Sequence, residues 1–215
     1  MTYKACLFDL DGVLVDTAIY HFQAWKNLGT KFGYALTEEQ NEQLKGVSRV
    51  ESLNRILAWA NYSATEEQKS AWLLDKNENY LELISNMNPS EILPGVLDFL
   101  HQIKEAGFKI ALGSASKNAE IILSKTGLID WFDLIIDGNK VTKSKPDPEV
   151  FLKGAAGLGF LPTECIVFED AQAGVEAAKA GNMRAIGIGD ADMLSQADKV
   201  IPSFVGIQAS ELLQF

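Results

Sequence analysis

Leu7-Phe8-Asp9-Leu10-Asp11-Gly12-Val13-Leu14 is the stretch on which the fold turns. Cys6, Leu7 and Phe8 form an apolar run of the kind that finishes a parallel strand buried on both faces, and two carboxylates and a glycine follow at once. Burial alone does not select acids there. Ligands bind at the carboxyl ends of strands in open α/β sheets, where two carboxylates two positions apart can divide the work, Asp9 attacking and Asp11 moving a proton. An Asp-Gly pair also makes an ordinary turn after a strand. The octet by itself leaves both readings open.

Downstream of it the pattern is helical. Asp16 or Thr17 can cap a helix whose apolar positions Phe22, Trp25, Leu28 and Phe32 recur at helical spacing, and Gly33 ends it. A short helix follows Thr37 and reaches Leu44, and Lys45-Gly46-Val47 makes a loop. Ser48 to Glu51 reads as a capping box, opening a helix with Val50, Leu53, Leu57 and Ala60 on its buried face; Thr65 to Gln68 repeats the signature before a longer helix ending near Met87. From Pro94-Gly95 onward, helices alternate with short apolar runs at 109–112, 134–136, 165–168, 184–188 and 199–201, which argues for βαβ units and a parallel sheet. The expected fold is α/β, a doubly wound parallel-sheet (Rossmann-like) core over residues 1–16 and 89–215 with an all-helical cap inserted over 17–88.

Composition narrows the partners. The 215 residues carry a net charge of −10, which repels nucleic-acid backbones and anionic membranes, so a small anionic substrate needs local cations. No stretch approaches the roughly 18 consecutive apolar residues of a membrane helix, and Asp9 and Asp11 interrupt the N-terminal run where a signal peptide needs its core. A cytoplasmic monomer that binds neither nucleic acid nor membrane is expected. Cys6 and Cys165 fall in apolar runs, which suits buried free thiols.

Asp9-Leu10-Asp11-Gly12-Val13-Leu14 resembles the first motif of the haloacid dehalogenase-like phosphotransferases. Ser114-Ala115-Ser116, Lys145-Pro146 and Glu169-Asp170 resemble the remaining motifs, in the family's order. The residues suit that chemistry. Phosphoryl transfer asks for an aligned nucleophile and for positive charge around the transferred oxygens, and a carboxylate such as Asp9 can form an aspartyl phosphate. Asp9, the main-chain carbonyl of Asp11, Glu169 and Asp170 offer hard oxygens suited to Mg2+, although Glu169-Asp170 also suits a helix N-terminus. Ser114, Ser116, the backbone N–H groups from Ala115 onward and Asn118 are candidate phosphate receptors; Ser116 equally suits a helix cap. Pro146 holds Lys145 in extended backbone, and the resemblance makes it the cation that balances Asp9 and the transferred group. Asp11 is the candidate acid/base, with Thr17 and His21, one helical turn apart, able to orient it, although His21 equally suits the surface of a helix. Lys140, Lys143 and His101 read as surface residues.

Within that family, Lys45-Gly46-Val47-Ser48-Arg49 with Ser52, His21 to Trp25, and Lys76-Asn77 resemble the substrate-recognising parts of its sugar phosphomutases. Arg49 is misplaced for a helix N-terminus and suits a bidentate grip on a second phosphate, or it snorkels at the surface. Lys76 lies between Trp72 and Tyr80 on one helical face, where it either reaches substrate or covers the rings. The resemblance implies an isomerase acting on a sugar phosphate, β-glucose 1-phosphate to glucose 6-phosphate, with glucose 1,6-bisphosphate as intermediate and activator. A sugar-phosphate or phosphoglycolate-type phosphatase shares the core residues and needs one phosphate site rather than two. A binding protein that has lost catalysis finds no support, since all the core acids and Lys145 are present.

Overall fold

The structure is a computed structural model and describes residues 3–45 and 47–213. Its elements run β1 (Ala5–Phe8), α1 (Ala18–Gly29), α2 (Glu38–Glu42), α3 (Arg49–Trp59), α4 (Glu66–Leu83), α5 (Val96–Glu105), β2 (Lys109–Gly113), α6 (Ala119–Thr126), β3 (Leu134–Ile136), α7 (Glu149–Leu158), β4 (Cys165–Glu169), α8 (Gln172–Ala180), β5 (Arg184–Ile188), β6 (Lys199–Ile201) and α9 (Ala209–Leu213). The strands form one parallel sheet in the order β3-β2-β1-β4-β5-β6, the doubly wound arrangement expected.

The two faces follow from strand periodicity. Cys6 and Phe8 join Ile110, Leu112, Ile166 and Phe168 on one face, under α5, α6 and α9. Ala5 and Leu7 join Ala111, Cys165 and Val167 on the other, under α7 and α8. Phe8 and Phe168 stack at 4.7 Å with Phe99 edge-on to both, so aromatic packing lies directly beneath the sheet's carboxyl edge. Because Phe8 is level with both Leu112 and Phe168, the residues that follow β1, β2 and β4 emerge together at that edge. The two cysteines are buried free thiols.

Helices α1 to α4 lie between β1 and α5 and share an apolar cluster of their own, including Trp25, Leu28, Leu53, Ile56 and Leu57. The chain leaves and returns at adjacent points: Leu93 N–H donates to the Leu14 carbonyl at 3.0 Å and Asp16 N–H to that of Glu91 at 3.3 Å. Ala24, Tyr80, Ile84 and Met87 pack into the main cluster with Leu10, Leu14 and Val15. Among the described residues no helix is long and apolar enough to cross a membrane.

Local expectations needed correction in several places. Thr37 and Thr65 form complete capping boxes. Ser48 accepts the Glu51 N–H at 3.3 Å, but the box stays half-made because Glu51 turns to Arg55 at 3.1 Å. Thr17 occupies the N-cap position of α1 without a side-chain capping bond. Val50, expected on a buried face, is exposed and lines a cleft, because the first turn of α3 projects over it; Ser52 and Ile56 are buried instead. Trp72 packs on Phe32 and Tyr62, away from Lys76.

Candidate active site

The deepest part of the site is a buried charge triad. Lys145 Nζ lies 2.5 Å from Asp9 Oδ1 and 2.5 Å from Glu169 Oε1, and Phe151 of α7 presents its ring 4.8 Å from the same ammonium. Burial opposes the charge on Lys145, yet Asp9 and Glu169 outweigh it and hold the ammonium above the ordinary lysine range. The Lys145–Pro146 peptide bond is cis. Asp9 Oδ2 accepts the Asp11 N–H at 3.1 Å, which leaves its side chain fixed at the strand end and open to the cleft.

Beside the triad stand two more carboxylates. Asp170 lies against Gly12, so closely that a Cβ at Gly12 would come 2.1 Å from Asp170 Oδ2. Burial, followed by the charges of Glu169 and Asp9, pushes the Asp170 carboxyl well above the usual range. Burial and then Asp9 push Asp11 up to about 7, and Asp11 Oδ1 is a buried oxygen with no hydrogen-bond partner among the described residues. Glu169 is also pushed up to about 7, mainly by burial, with Lys145 pulling the other way. Four acids around one buried lysine leave surplus negative charge on hard oxygens, which is the chemistry a Mg2+ ion complements.

Among the described residues no three His, Cys, Asp or Glu side chains close into a ready metal cage. The donors of the right chemistry are the Asp9, Glu169 and Asp170 carboxylates with the Asp11 main-chain carbonyl. Glu169, expected as a ligand, has both oxygens engaged, by Lys145 and by the Ala171 N–H at 2.8 Å. The Asp9 oxygens are engaged in the same way, by Lys145 and the Asp11 N–H, and in both residues each oxygen keeps a second lone pair for a cation.

A cleft of about 570 Å³ opens from Asp9, Asp11, Ser114, Ala115, Ser116 and Lys145 toward Trp25, Lys45, Val47, Ser48, Arg49, Ser52 and Lys76. Gly46 lies outside the described residues. Lys45 Nζ crosses to Asp170 Oδ2 at 3.5 Å, a link from the α2–α3 loop to the sheet edge. Burial lowers the pKa of Arg49, a guanidinium at the N-terminus of α3 for which the structure shows no ion pair among the described residues. Beneath it, Lys76 is buried with its ammonium over the Trp25 and Tyr80 rings at 4.7 and 4.5 Å. Lys76 Nζ meets His21 Nδ1 at 2.9 Å, and His21 stacks on Tyr80 at 4.1 Å. Burial, Lys76 and Arg49 depress the His21 pKa, so the imidazole is neutral and its Nδ1 accepts from Lys76. His21 is thus joined to Lys76 and not to Asp11. Thr17 Oγ1 is buried beside the Tyr80 hydroxyl and does not bond Asp11 either.

The 114–118 segment is more self-contained than expected. Ser114 Oγ accepts the Ser116 N–H at 3.1 Å, and Ser116 Oγ accepts the Asn118 N–H at 3.3 Å, so two of the backbone donors foreseen for phosphate are already used. Asn118 is the N-cap residue of α6 and gives its amide to Asn77 Oδ1 of α4 at 3.0 Å, tying the two halves of the cleft together. Lys117 and Asn41 also line the cleft and were missed in the sequence. For Lys117 the signal was available: like Arg49, it is a cation at the N-terminal end of a helix, against the dipole.

The comparisons fit this geometry. A family model described as haloacid dehalogenase-like hydrolase matches residues 3–182. The chain belongs to the haloacid dehalogenase-like hydrolases. Among relatives in this family, a β-phosphoglucomutase of Bacillus subtilis is 42% identical over 200 residues, 92% of this chain and 88% of that protein. A phosphorylated carbohydrates phosphatase of Thermotoga maritima is 31% identical over 186 residues, 85% of this chain and 83% of its own. The crystal structure of a β-phosphoglucomutase from Clostridium difficile superposes with a TM-score of 0.94 at 42% identity, covering 98% of this chain and 95% of that one.

Proposed function

We propose that this chain is a phosphomutase interconverting β-D-glucose 1-phosphate and glucose 6-phosphate through an aspartyl phosphate on Asp9, with glucose 1,6-bisphosphate as intermediate and activator. The observation that carries the reading is a cleft with Lys145 beside Asp9 at its sheet-edge end and Arg49 where α3 of the helical insertion lines it. A bisphosphate needs both cations, and a one-phosphate hydrolase needs only the first. In this reading residues 17–88 form the substrate-choosing cap and residues 1–16 with 89–215 the catalytic core.

Asp9 Oδ2 attacks phosphorus while Oδ1 stays on Lys145, whose ammonium balances charge on the transferred group. Asp11 shares the cleft and, with its carboxyl raised to about 7, carries a proton to the departing sugar hydroxyl and takes it back from the attacking one. Asp9, Glu169, Asp170 and the Asp11 main-chain carbonyl would hold Mg2+, which would supply further charge neutralisation. Arg49 grips the phosphate that is not reacting, so the bisphosphate binds in either orientation and returns either phosphate to Asp9. Neutral His21 and Lys76 anchor the cap wall through Trp25 and Tyr80. A phosphorylated sugar substrate and the acidic surface support a cytoplasmic monomer.

The test is a phosphorus NMR time course with Mg2+, β-glucose 1-phosphate and a trace of glucose 1,6-bisphosphate. Glucose 6-phosphate accumulating with little inorganic phosphate is expected. Arg49→Ala is expected to cut mutase turnover about a hundredfold, the roughly 2.7 kcal/mol of one lost charge-assisted contact, while Asp9 phosphorylation by acetyl phosphate changes less than threefold. Inorganic phosphate as the main product would instead assign the chain to sugar-phosphate hydrolysis.

A further inference from the structure

Lys145 must hold its ammonium 2.5 Å from two carboxylates, yet it lies in a segment, 137–148, that belongs to no helix or strand. That segment also forms one wall of the cleft, through Gly138, Val141, Thr142, Lys143 and Ser144. Its order comes from α7. Glu149, the first residue of that helix, reaches back so that one oxygen, Oε2, accepts from Thr142 N–H at 3.0 Å, Thr142 Oγ1 at 3.0 Å and Lys143 N–H at 2.8 Å. Its other oxygen pairs with Lys153 Nζ at 2.6 Å, and Lys153 in turn donates to the Lys140 carbonyl at 2.7 Å. Lys143 Nζ is tied to Asp147 Oδ2 at 3.1 Å, and Asp147 Oδ1 accepts the Glu149 N–H at 3.0 Å. The helix itself is anchored next to these contacts by Val150 and Phe151, which are buried in the core.

The geometry points to Glu149 as a positioning residue for Lys145: its carboxylate binds the chain two and three residues before the lysine to the same rigid helix whose Phe151 ring faces the ammonium. A lysine on an unanchored loop samples positions an ångström or more apart, and misplacement on that scale costs about a hundredfold in well-organised sites. The hydrogen bond from Lys153, with the Lys143 and Thr142 donors behind it, holds the Glu149 carboxyl down at about 2, so it stays an ionised acceptor through the assay range. Glu149 touches no reacting atom; it acts through Lys145.

The inference rests on the proposed transfer to Asp9, and the experiment separates the two. Single-turnover phosphorylation of Asp9 by acetyl phosphate with Mg2+ is measured for wild type, Glu149→Ala, Glu149→Gln, Lys145→Ala and the Glu149→Ala/Lys145→Ala pair. Glu149→Ala is expected to slow transfer at least tenfold. Glu149→Gln, which keeps a carbonyl acceptor, is expected to recover to within about threefold of wild type, and Glu149→Ala is expected to change the Lys145→Ala rate less than twofold. An equal loss in both backgrounds, or no loss in the wild-type one, overturns the positioning role. Should Glu149→Ala fail to fold, Thr142→Val replaces it in the same cycle, with a two- to threefold slowing expected only when Lys145 is present. If Lys145→Ala leaves transfer at the wild-type rate, it is the proposed function that fails.

Discussion

Gly12 turns the chain with φ +79° at the point where Asp170 brings its carboxylate against the backbone. Two requirements coincide there: the left-handed conformation disfavours any side chain, and the space a Cβ would take already holds an oxygen. Gly12→Ala is therefore expected to displace Asp170, not merely to strain the loop. Strain alone is worth about 1–3 kcal/mol, whereas loss of a metal-binding carboxylate would appear as a higher Mg2+ requirement. The expected outcome is a fall in melting temperature together with at least a tenfold rise in the Mg2+ concentration for half-maximal Asp9 phosphorylation. A lower melting temperature with unchanged Mg2+ dependence would mean that Asp170 is not held by this contact.

Both edge strands of the sheet begin with the same device. Asp133, just before β3, accepts the Ile110 N–H of β2 at 2.9 Å and the Lys109 ammonium at 2.7 Å. Asp198, just before β6, accepts the Ala185 N–H of β5 at 2.8 Å and the Lys179 ammonium at 2.5 Å. Each carboxylate thus fixes the register of a three-residue strand that has a neighbour on only one side. Although burial works against it, hydrogen bonding to the lysine and the strand N–H lowers each acid's pKa. A lowered folded pKa stabilises the fold above the unfolded value near 4, and that stability is lost as pH falls through the folded value. Asp133→Asn and Asp198→Asn should therefore lower the melting temperature at pH 7 and shrink its drop between pH 4 and pH 2; a parallel shift at every pH would contradict the argument. Neither acid stood out in the sequence, because an aspartate before a strand also reads as a turn residue. The motif acids did stand out, because they follow apolar strands in the order of the family's motifs, although each pair also had a turn or helix-cap reading; Lys145, in a loop, was marked by that resemblance. What was not legible depended on contacts across the fold: Glu169 spending both oxygens on Lys145 and Ala171, Asn118 reaching Asn77, and Val50 facing the cleft rather than the core.

Over the whole molecule, the acids gathered at the sheet edge set stability against function. Burial raises Asp11 and Glu169 to about 7 and Asp170 well above its ordinary value, so without metal the folded chain holds protons there that the unfolded chain has released. For an acid whose folded pKa is raised, the folded state binds more protons between the unfolded value near 4 and the folded one, and stability falls as pH rises through that window. Mg2+ reverses the sign by binding the ionised acids of the folded state alone, releasing those protons as it does so. Its stabilisation must therefore grow with pH. At one hundred times its dissociation constant the ion contributes about 2.7 kcal/mol, which for a chain of this length is roughly 5–10 °C in melting temperature. The expected result is a rise of that size at pH 8, little or none at pH 5, and none with NaCl at matched ionic strength. Asp170→Asn should abolish most of the rise while stabilising the metal-free protein at pH 8, because one of the repelling charges is gone. A Mg2+ effect equal at both pH values, or an Asp170→Asn variant less stable than wild type without metal, would mean that the carboxylate cluster is not the fold's main electrostatic cost.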